Sequence, residues 1–198
     1  MKKILLATRN KDKFRIISKL LNPFFKDYSF YSLDDIKDEI IDKKETGDVM
    51  NRSYEKAKNV FDCIKDNEYE YTIGVDDGIK IRGEMIENVK EYMGKIVDDE
   101  LLEENEIVYI VRAYTFINNK GDKYSILTEI PFKYTKLNYK LEIEKDTYPL
   151  SYVLGPIDSD HPIKEMSPEE SNEYYAKYSK DKFIEVQTYF NNKELNIF

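Results

Sequence analysis

The chain has 198 residues, enough for one packed domain, and a 41% hydrophobic and 14% aromatic content supplies its core. A net charge of −8 excludes a protein that grips nucleic acid through a basic face, while local lysines can still build a positive pocket for a small anion. Cys63 stands alone, which excludes an internal disulfide, and the apolar run after "MKK" is too short to lead or span a membrane, so a soluble, cytoplasmic protein is expected.

Residues 3–7, "KILLA", read as a buried strand that starts almost at the first residue. After the turn "TRN", Phe14, Ile16, Ile17, Leu20 and Leu21 form a helical stripe, with Asn10 as N-cap, Asp12 in the first turn and Asn22-Pro23 at the end. "YSFYSL" (28–33) predicts a second strand, and an acidic loop follows to Glu45. Over 49–64, Met50, Tyr54, Ala57, Phe61 and Ile64 align on one helical face. "EYTIGV" predicts a third strand ending at Asp76-Asp77, and Ile86, Val89, Met93 and Ile96 predict a helix over 85–97. "IVYIVRAYTFI", the turn "NNKGDK" and "YSILTEI" read as a long hairpin, and "FKYTKLNYKLEI" (132–143) as one more strand. The last helix, "SPEESNEYYAKYSKDKFIEV", opens on Ser167 as N-cap, Pro168 at the first position and Glu170 completing a capping box. No repeat or linker divides the chain, so a single α/β domain over 1–198 is expected.

Four groups of polar residues sit where a core has no need of them. Thr8-x-Asn10-x-x-Lys13 lies between the first strand and helix, where backbone N–H groups favour an anion; a capped helix with a solvated lysine fits the same letters. Glu45-Thr46-Gly47 precedes a helix carrying Lys56, which by itself suits an ordinary loop and a lysine lying along the surface. Asp76-Asp77-Gly78 reads either as an acidic turn or as a hard-cation site, since Mg²⁺ takes one or two carboxylates plus phosphate oxygens and a second carboxylate can act as base toward water. The fourth group is the irregular "SYVLGPIDSDHPIKEMSPEESN", whose His161 reads as a surface residue.

In this order the groups resemble the Ham1 family of inosine triphosphate pyrophosphatases, relatives of the Maf proteins. "LATRNKDK" is similar to A-T-x-N-x-x-K, "ETG" precedes a helix with Lys56-Ala57, "GVDDGIKI" resembles a strand ending in D-D-S-G-L, and "GPI" with "EMSPEESN" resembles D-P-I…E-M-S-x-E-E-K-N. The resemblance implies an elongated, twisted mixed sheet flanked by helices, two lobes with a central cleft, and a homodimer. It implies hydrolysis of a nucleoside triphosphate to monophosphate and pyrophosphate with Mg²⁺, the usual substrates being deaminated purines such as ITP, dITP and XTP. Thr8, Asn10, Lys13 and Lys56 would then hold the triphosphate, Glu45 and Asp76 the metal, and Asp77 would bind substrate and activate water.

The departures cluster. Ile16 replaces a Glu, the Ser after the paired aspartates is missing, and "RGEMIENV" lacks the family's Pro-Gly. On the side that would meet the base, Gly155 replaces the D-P-I aspartate, Tyr152 a Phe, and Ser171, Ala176 and Lys177 the Lys, His and Arg. Tyr152 and Lys177 are therefore the expected contacts in a rebuilt base pocket, with Tyr174 and Tyr175 as further candidates for stacking. Losing polar groups that read a base weakens or redirects selectivity. The alternatives to a deaminated-purine enzyme are a pyrophosphatase for another nucleotide, such as a modified pyrimidine, and a silent nucleotide-binding or scaffold protein.

Overall fold

The computed structural model describes residues 2–36, 40, 43–64, 68–87, 89–98, 100–136 and 149–195. The elements in chain order are β1 (Lys2–Leu6), α1 (Lys11–Leu21), β2 (Tyr28–Tyr31), α2 (Val49–Cys63), β3 (Tyr71–Ile81), β4 (Glu84–Ile86), α3 (Val89–Val97), β5 (Ile107–Asn118), β6 (Lys123–Tyr134), β7 (Leu154–Gly155) and α4 (Pro168–Leu195). One mixed, seven-stranded sheet runs β2-β1-β3-β5-β6-β7, with β4 paired to β3 off this path.

β1 has parallel neighbours on both sides, Ile4 standing opposite Phe30 of β2 and Tyr71 of β3. A strand covered on both faces must be apolar throughout, and Ile4, Leu5 and Leu6 are buried. On one side Leu5 joins Leu33, Ile40, Val60 and Tyr69. Elsewhere Phe25 and Tyr71 pack edge to face with ring centres 5.7 Å apart, and Tyr71 meets Phe190 of α4 at 4.9 Å.

α2 approaches β3 closely enough that a Cβ on Gly74 would lie 2.0 Å from the Ser53 carbonyl oxygen. The face it buries is Val49, Ser53, Ala57 and Val60, rotated from the expected stripe through Tyr54 and Phe61. Small side chains allow the close approach, and the larger ones flank the contact. Beneath it, the Ser53 hydroxyl lies 2.9 Å from that of Thr115, which lies 2.8 Å from Ser125.

Other expected boundaries change. β3 does not end at the aspartates but continues to Ile81 and returns through Arg82 (φ 50°) and Gly83 (φ 83°) into β4. Two positive-φ residues make the tight turn whose twist suits a hairpin, so Met85 and Ile86 pair with β3 and the helix starts only at Val89. The separate strand expected over 132–143 begins as the tail of β6, which runs through Pro131 to Tyr134, while 137–143 lie outside the described residues. α4 keeps its expected capping box, the Ser167 N–H donating to Glu170 Oε2 (2.8 Å) and the Glu170 N–H to Ser167 Oγ (3.2 Å). It extends beyond Val186 to Leu195, since no Gly or Pro stops it and Phe190 still finds a core partner.

The chain divides into two compact units, one of residues 1–76, 112–128 and 179–198, the other of 77–111 and 129–178. β3, β5, β6 and α4 each contribute to both. Among the described residues no helix is long and apolar enough to cross a membrane.

Candidate active site

In the first unit the chain leaves β1 at Leu6 and turns, the Thr8 N–H donating to the Leu6 carbonyl (2.7 Å). Thr8 Oγ1 accepts the Asn10 N–H (3.1 Å), and Asn10 Oδ1 accepts the Lys13 N–H (2.8 Å), which makes Asn10 the N-cap of α1. Lys13 reaches past the end of β1, its ammonium donating to the Val75 carbonyl of β3 at 3.1 Å. The loop thus lies at the carboxyl end of a parallel strand, where open α/β sheets place their ligands.

The Glu45–Gly47 segment is fastened to α2 by that helix's own side chains. Asp48 is the N-cap, accepting the Asn51 N–H at 2.8 Å. Glu55 accepts the Thr46 N–H (2.7 Å), Asn51 Nδ2 donates to the Thr46 carbonyl (2.8 Å), and Arg52 Nη1 to the Gly47 carbonyl (2.7 Å). Gly47 has φ +78°, a conformation that L side chains rarely adopt.

Arg52 and Lys56, four residues apart on α2, share one face and converge on Asp76 of β3. Arg52 Nε lies 2.5 Å from Asp76 Oδ2, and the Lys56 ammonium pairs with Oδ1. Asp76 is 9% exposed, and both its carboxylate oxygens are engaged by cations. Successive strand residues face opposite sides, so Asp77, half-buried, turns away from the face that Asp76 shows to α2.

A cavity of about 440 Å³ brings together Thr8, Glu45 and Lys56, three of the residues expected on phosphate and metal. Its floor is apolar, from Ala7, Leu33, Ile40 and Val60. Among the described residues five cationic side chains line it (Arg9, Lys43, Lys44, Lys56, Lys58) against three acidic ones (Glu45, Glu55, Asp62). Glu55 is committed to Thr46, and Asp62 to Lys58. Among the described residues the lining thus carries two more cations than anions, which favours an anionic ligand.

Arg52, Arg9, Lys43, Lys44 and Lys58 were not among the expected site residues. Arg52 carried a legible signal, because it lies one helical turn before Lys56. Arg9, Lys43 and Lys44 sit beside motif letters in "ATRN" and "KKETG" and Lys58 directly after Lys56-Ala57, and only the fold shows that they meet.

Among the described residues no three His, Cys, Asp or Glu side chains gather to hold a metal by themselves. Mg²⁺ needs fewer, since substrate phosphates complete its octahedron. Glu45 lines the cavity with oxygen donors of the right hardness, whereas Asp76 is not in its lining and has both oxygens paired with Arg52 and Lys56.

The base-side candidates lie in the second unit. Tyr152 ends a 3-10 turn (Pro149–Tyr152) and accepts from the Lys164 ammonium at 3.0 Å. Lys177 pairs with Asp158 at 3.5 Å and lines a hollow of about 550 Å³ with Glu165, Glu170 and Glu173, so that surface is acidic. A Cβ on Gly155 would lie 2.4 Å from the His161 carbonyl oxygen, which bars an aspartate there unless the loop moves. Tyr174 and Tyr175 are 8% exposed and pack on Phe132, so their rings belong to the core. The Tyr174 hydroxyl donates to the Pro131 carbonyl (2.5 Å) and accepts the Ile157 N–H (3.2 Å), and burial raises its pKa. His161 is exposed beside Glu165, as expected of a surface residue.

Neither a scan against protein-family models nor a search of curated proteins returns a match. Solved structures do match over nearly the whole chain. A HAM1 protein from Coxiella burnetii is 13% identical, with TM-score 0.64 and 98% of this chain and 100% of that one covered. A nucleoside-triphosphatase, dITP/XTP pyrophosphatase, from Mycobacterium abscessus is 14% identical, with TM-score 0.59 and 92% and 97% covered. The Ham1 protein of Staphylococcus aureus is 13% identical, with TM-score 0.54 and 98% and 100% covered. The chain has the fold of these proteins.

Proposed function

We propose that this chain with a Ham1 fold is a Mg²⁺-dependent nucleoside triphosphate pyrophosphatase that cuts between the α and β phosphates. The observation that carries the reading is the cationic cavity at the end of β1, where Thr8, Glu45 and Lys56 meet. Thr8, Asn10, Lys13, Lys56 and the N-terminal amides of α1 hold the phosphate chain, Asn10 and Lys13 also fixing the loop. Glu45 and Asp76 would hold Mg²⁺, which would supply positive charge to offset that of the phosphates. The resemblance assigns the proton of the attacking water to Asp77, although its carboxylate leaves β3 on the side away from α2 and does not line the cavity, so this role requires Asp77 to turn toward the phosphate chain. The water oxygen would attack the α phosphorus and the bond to the bridging oxygen would break, leaving a monophosphate and pyrophosphate.

Gly155 and the Lys177–Asp158 pair favour a changed base preference over recognition of deaminated purines alone. Tyr152 and Lys177 are the residues proposed to meet whatever base is bound. The same reading has the protein act as a homodimer in the cytoplasm, without nucleic-acid or membrane partners.

The test is pyrophosphate release from ITP, dITP, XTP, the common triphosphates and modified pyrimidine triphosphates, with Mg²⁺ and with chelator. Release from at least one, abolished by chelator, is expected. Nucleotide binding without turnover of any would contradict it and leave a silent binder.

A further inference from the structure

Of the three α2 side chains that hold the Thr46–Gly47 loop, Asn51 and Glu55 act on Thr46 within that loop. Arg52 does something else. Its Nη1 takes the Gly47 carbonyl at 2.7 Å while its Nε takes the Asp76 carboxylate at 2.5 Å, so one guanidinium joins the loop behind Glu45 to strand β3. It is also mostly buried, with its side chain 15% exposed, which strengthens both contacts relative to a surface pair.

The charge count gives the arrangement a consequence for the cavity. Lys56 and Asp76 alone would form a neutral pair, with the lysine's charge spent on its partner. With Arg52 on the other carboxylate oxygen the triad carries a net +1, and Lys56, which lines the cavity, keeps charge to offer an anion.

We infer that Arg52 is a positioning residue of the phosphate site: it keeps Lys56 available to a phosphate chain and holds the Glu45 loop in place for the metal that accompanies it. The inference rests on the pyrophosphatase reading for the identity of that ligand class, a polyphosphate. Each function of the guanidinium belongs to a different atom, so the two separate by substitution. Lysine at 52 keeps the charge beside Asp76 but lacks the second arm that reaches Gly47.

The experiment is calorimetric titration of inorganic tripolyphosphate, with and without Mg²⁺, into the wild-type protein, Arg52→Ala and Arg52→Lys, each checked for folding by its thermal transition. Arg52→Ala is expected to weaken metal-free tripolyphosphate binding about tenfold, the size of one charge-assisted contact. Arg52→Lys is expected to recover that affinity yet still need more Mg²⁺ than wild type for half-maximal tightening. A general loss of structure would move both readouts together in both variants, so Arg52→Lys failing to separate them overturns the inference, as does a folded Arg52→Ala with wild-type affinity. If Arg52→Ala does not fold, the Arg52→Lys split decides alone. A wild type that binds tripolyphosphate but turns over no nucleotide sinks the pyrophosphatase reading while leaving this one standing. A wild type that binds no tripolyphosphate overturns both.

Discussion

Lys56 on α2 and Asp76 on β3 are each other's partners: the lysine ammonium meets Asp76 Oδ1 while Arg52 takes Oδ2. The phosphate ligand and the metal ligand expected from sequence are therefore one ion pair, coupled before either meets a substrate. In the proposed reaction a polyphosphate arriving in the cavity would compete with Asp76 for Lys56, and the carboxylate it released would be the one to meet the metal.

Asp76→Asn removes the charge and keeps the shape. Two mostly buried cations lose their counter-charge, so stability should fall by about 1–3 kcal/mol in urea denaturation. Metal-free tripolyphosphate binding should persist, because the cations are now less neutralised, while Mg²⁺-dependent turnover falls at least about a hundredfold. Retained turnover would remove Asp76 from the metal site.

Gly74 sets the distance between α2 and β3. A methyl group there would lie 2.0 Å from the Ser53 carbonyl and 2.6 Å from the Ala57 nitrogen, both backbone atoms that move only with the helix. Gly74→Ala should cost about 3 kcal/mol or more, read as a lowered denaturation midpoint, and carry Arg52 and Lys56 away from Asp76. A variant of wild-type stability would show that the packing is looser than this.

Gly155 makes the base side testable in reverse. Restoring the aspartate that the resemblance expects, Gly155→Asp, should destabilise the protein by about 1–3 kcal/mol through the clash with the His161 carbonyl. It should not raise the preference for ITP over ATP. A stable variant with sharpened ITP selectivity would mean that the base pocket is not rebuilt.

Much of this was legible in sequence. Asn10, Ser167 and Glu170 cap their helices as their spacing predicts, because capping is local chemistry that a few neighbouring letters specify. The continuation of β3 through Asp76-Asp77 was not, since two aspartates and a glycine read as a turn, and only the fold shows the strand running on to Ile79–Ile81, which pair with β4. Nor was the buried face of α2, where Ser53 and Ala57 pack because Gly74 lies opposite, a contact between residues distant in sequence. The motif letters pointed to a phosphate site, and only tertiary structure showed Asp76 held between two cations.

Two exposed caps give the protein an acid-side sensitivity. Glu170 lies below its ordinary value of 4.5 because the Ser167 backbone N–H and then its hydroxyl bond the carboxylate, and Asp35 lies below its own through the same groups of Ser32. A depressed carboxylate contributes stability fully above its unfolded pKa, and that contribution is lost as pH falls through the folded value. Thermal midpoints should therefore drop as pH falls from about 5 to about 3, and Glu170→Gln should flatten part of that drop. An identical pH profile in Glu170→Gln would remove the cap from the account.

Attack of water on the α phosphorus is tested by hydrolysis in heavy-oxygen water followed by mass spectrometry of the products, using the best substrate from the nucleotide panel. One heavy oxygen is expected in the nucleoside monophosphate and none in the pyrophosphate, with loss of the reaction in Asp77→Asn and nucleotide binding kept. Label in pyrophosphate, release of orthophosphate, or a fully active Asp77→Asn would contradict it.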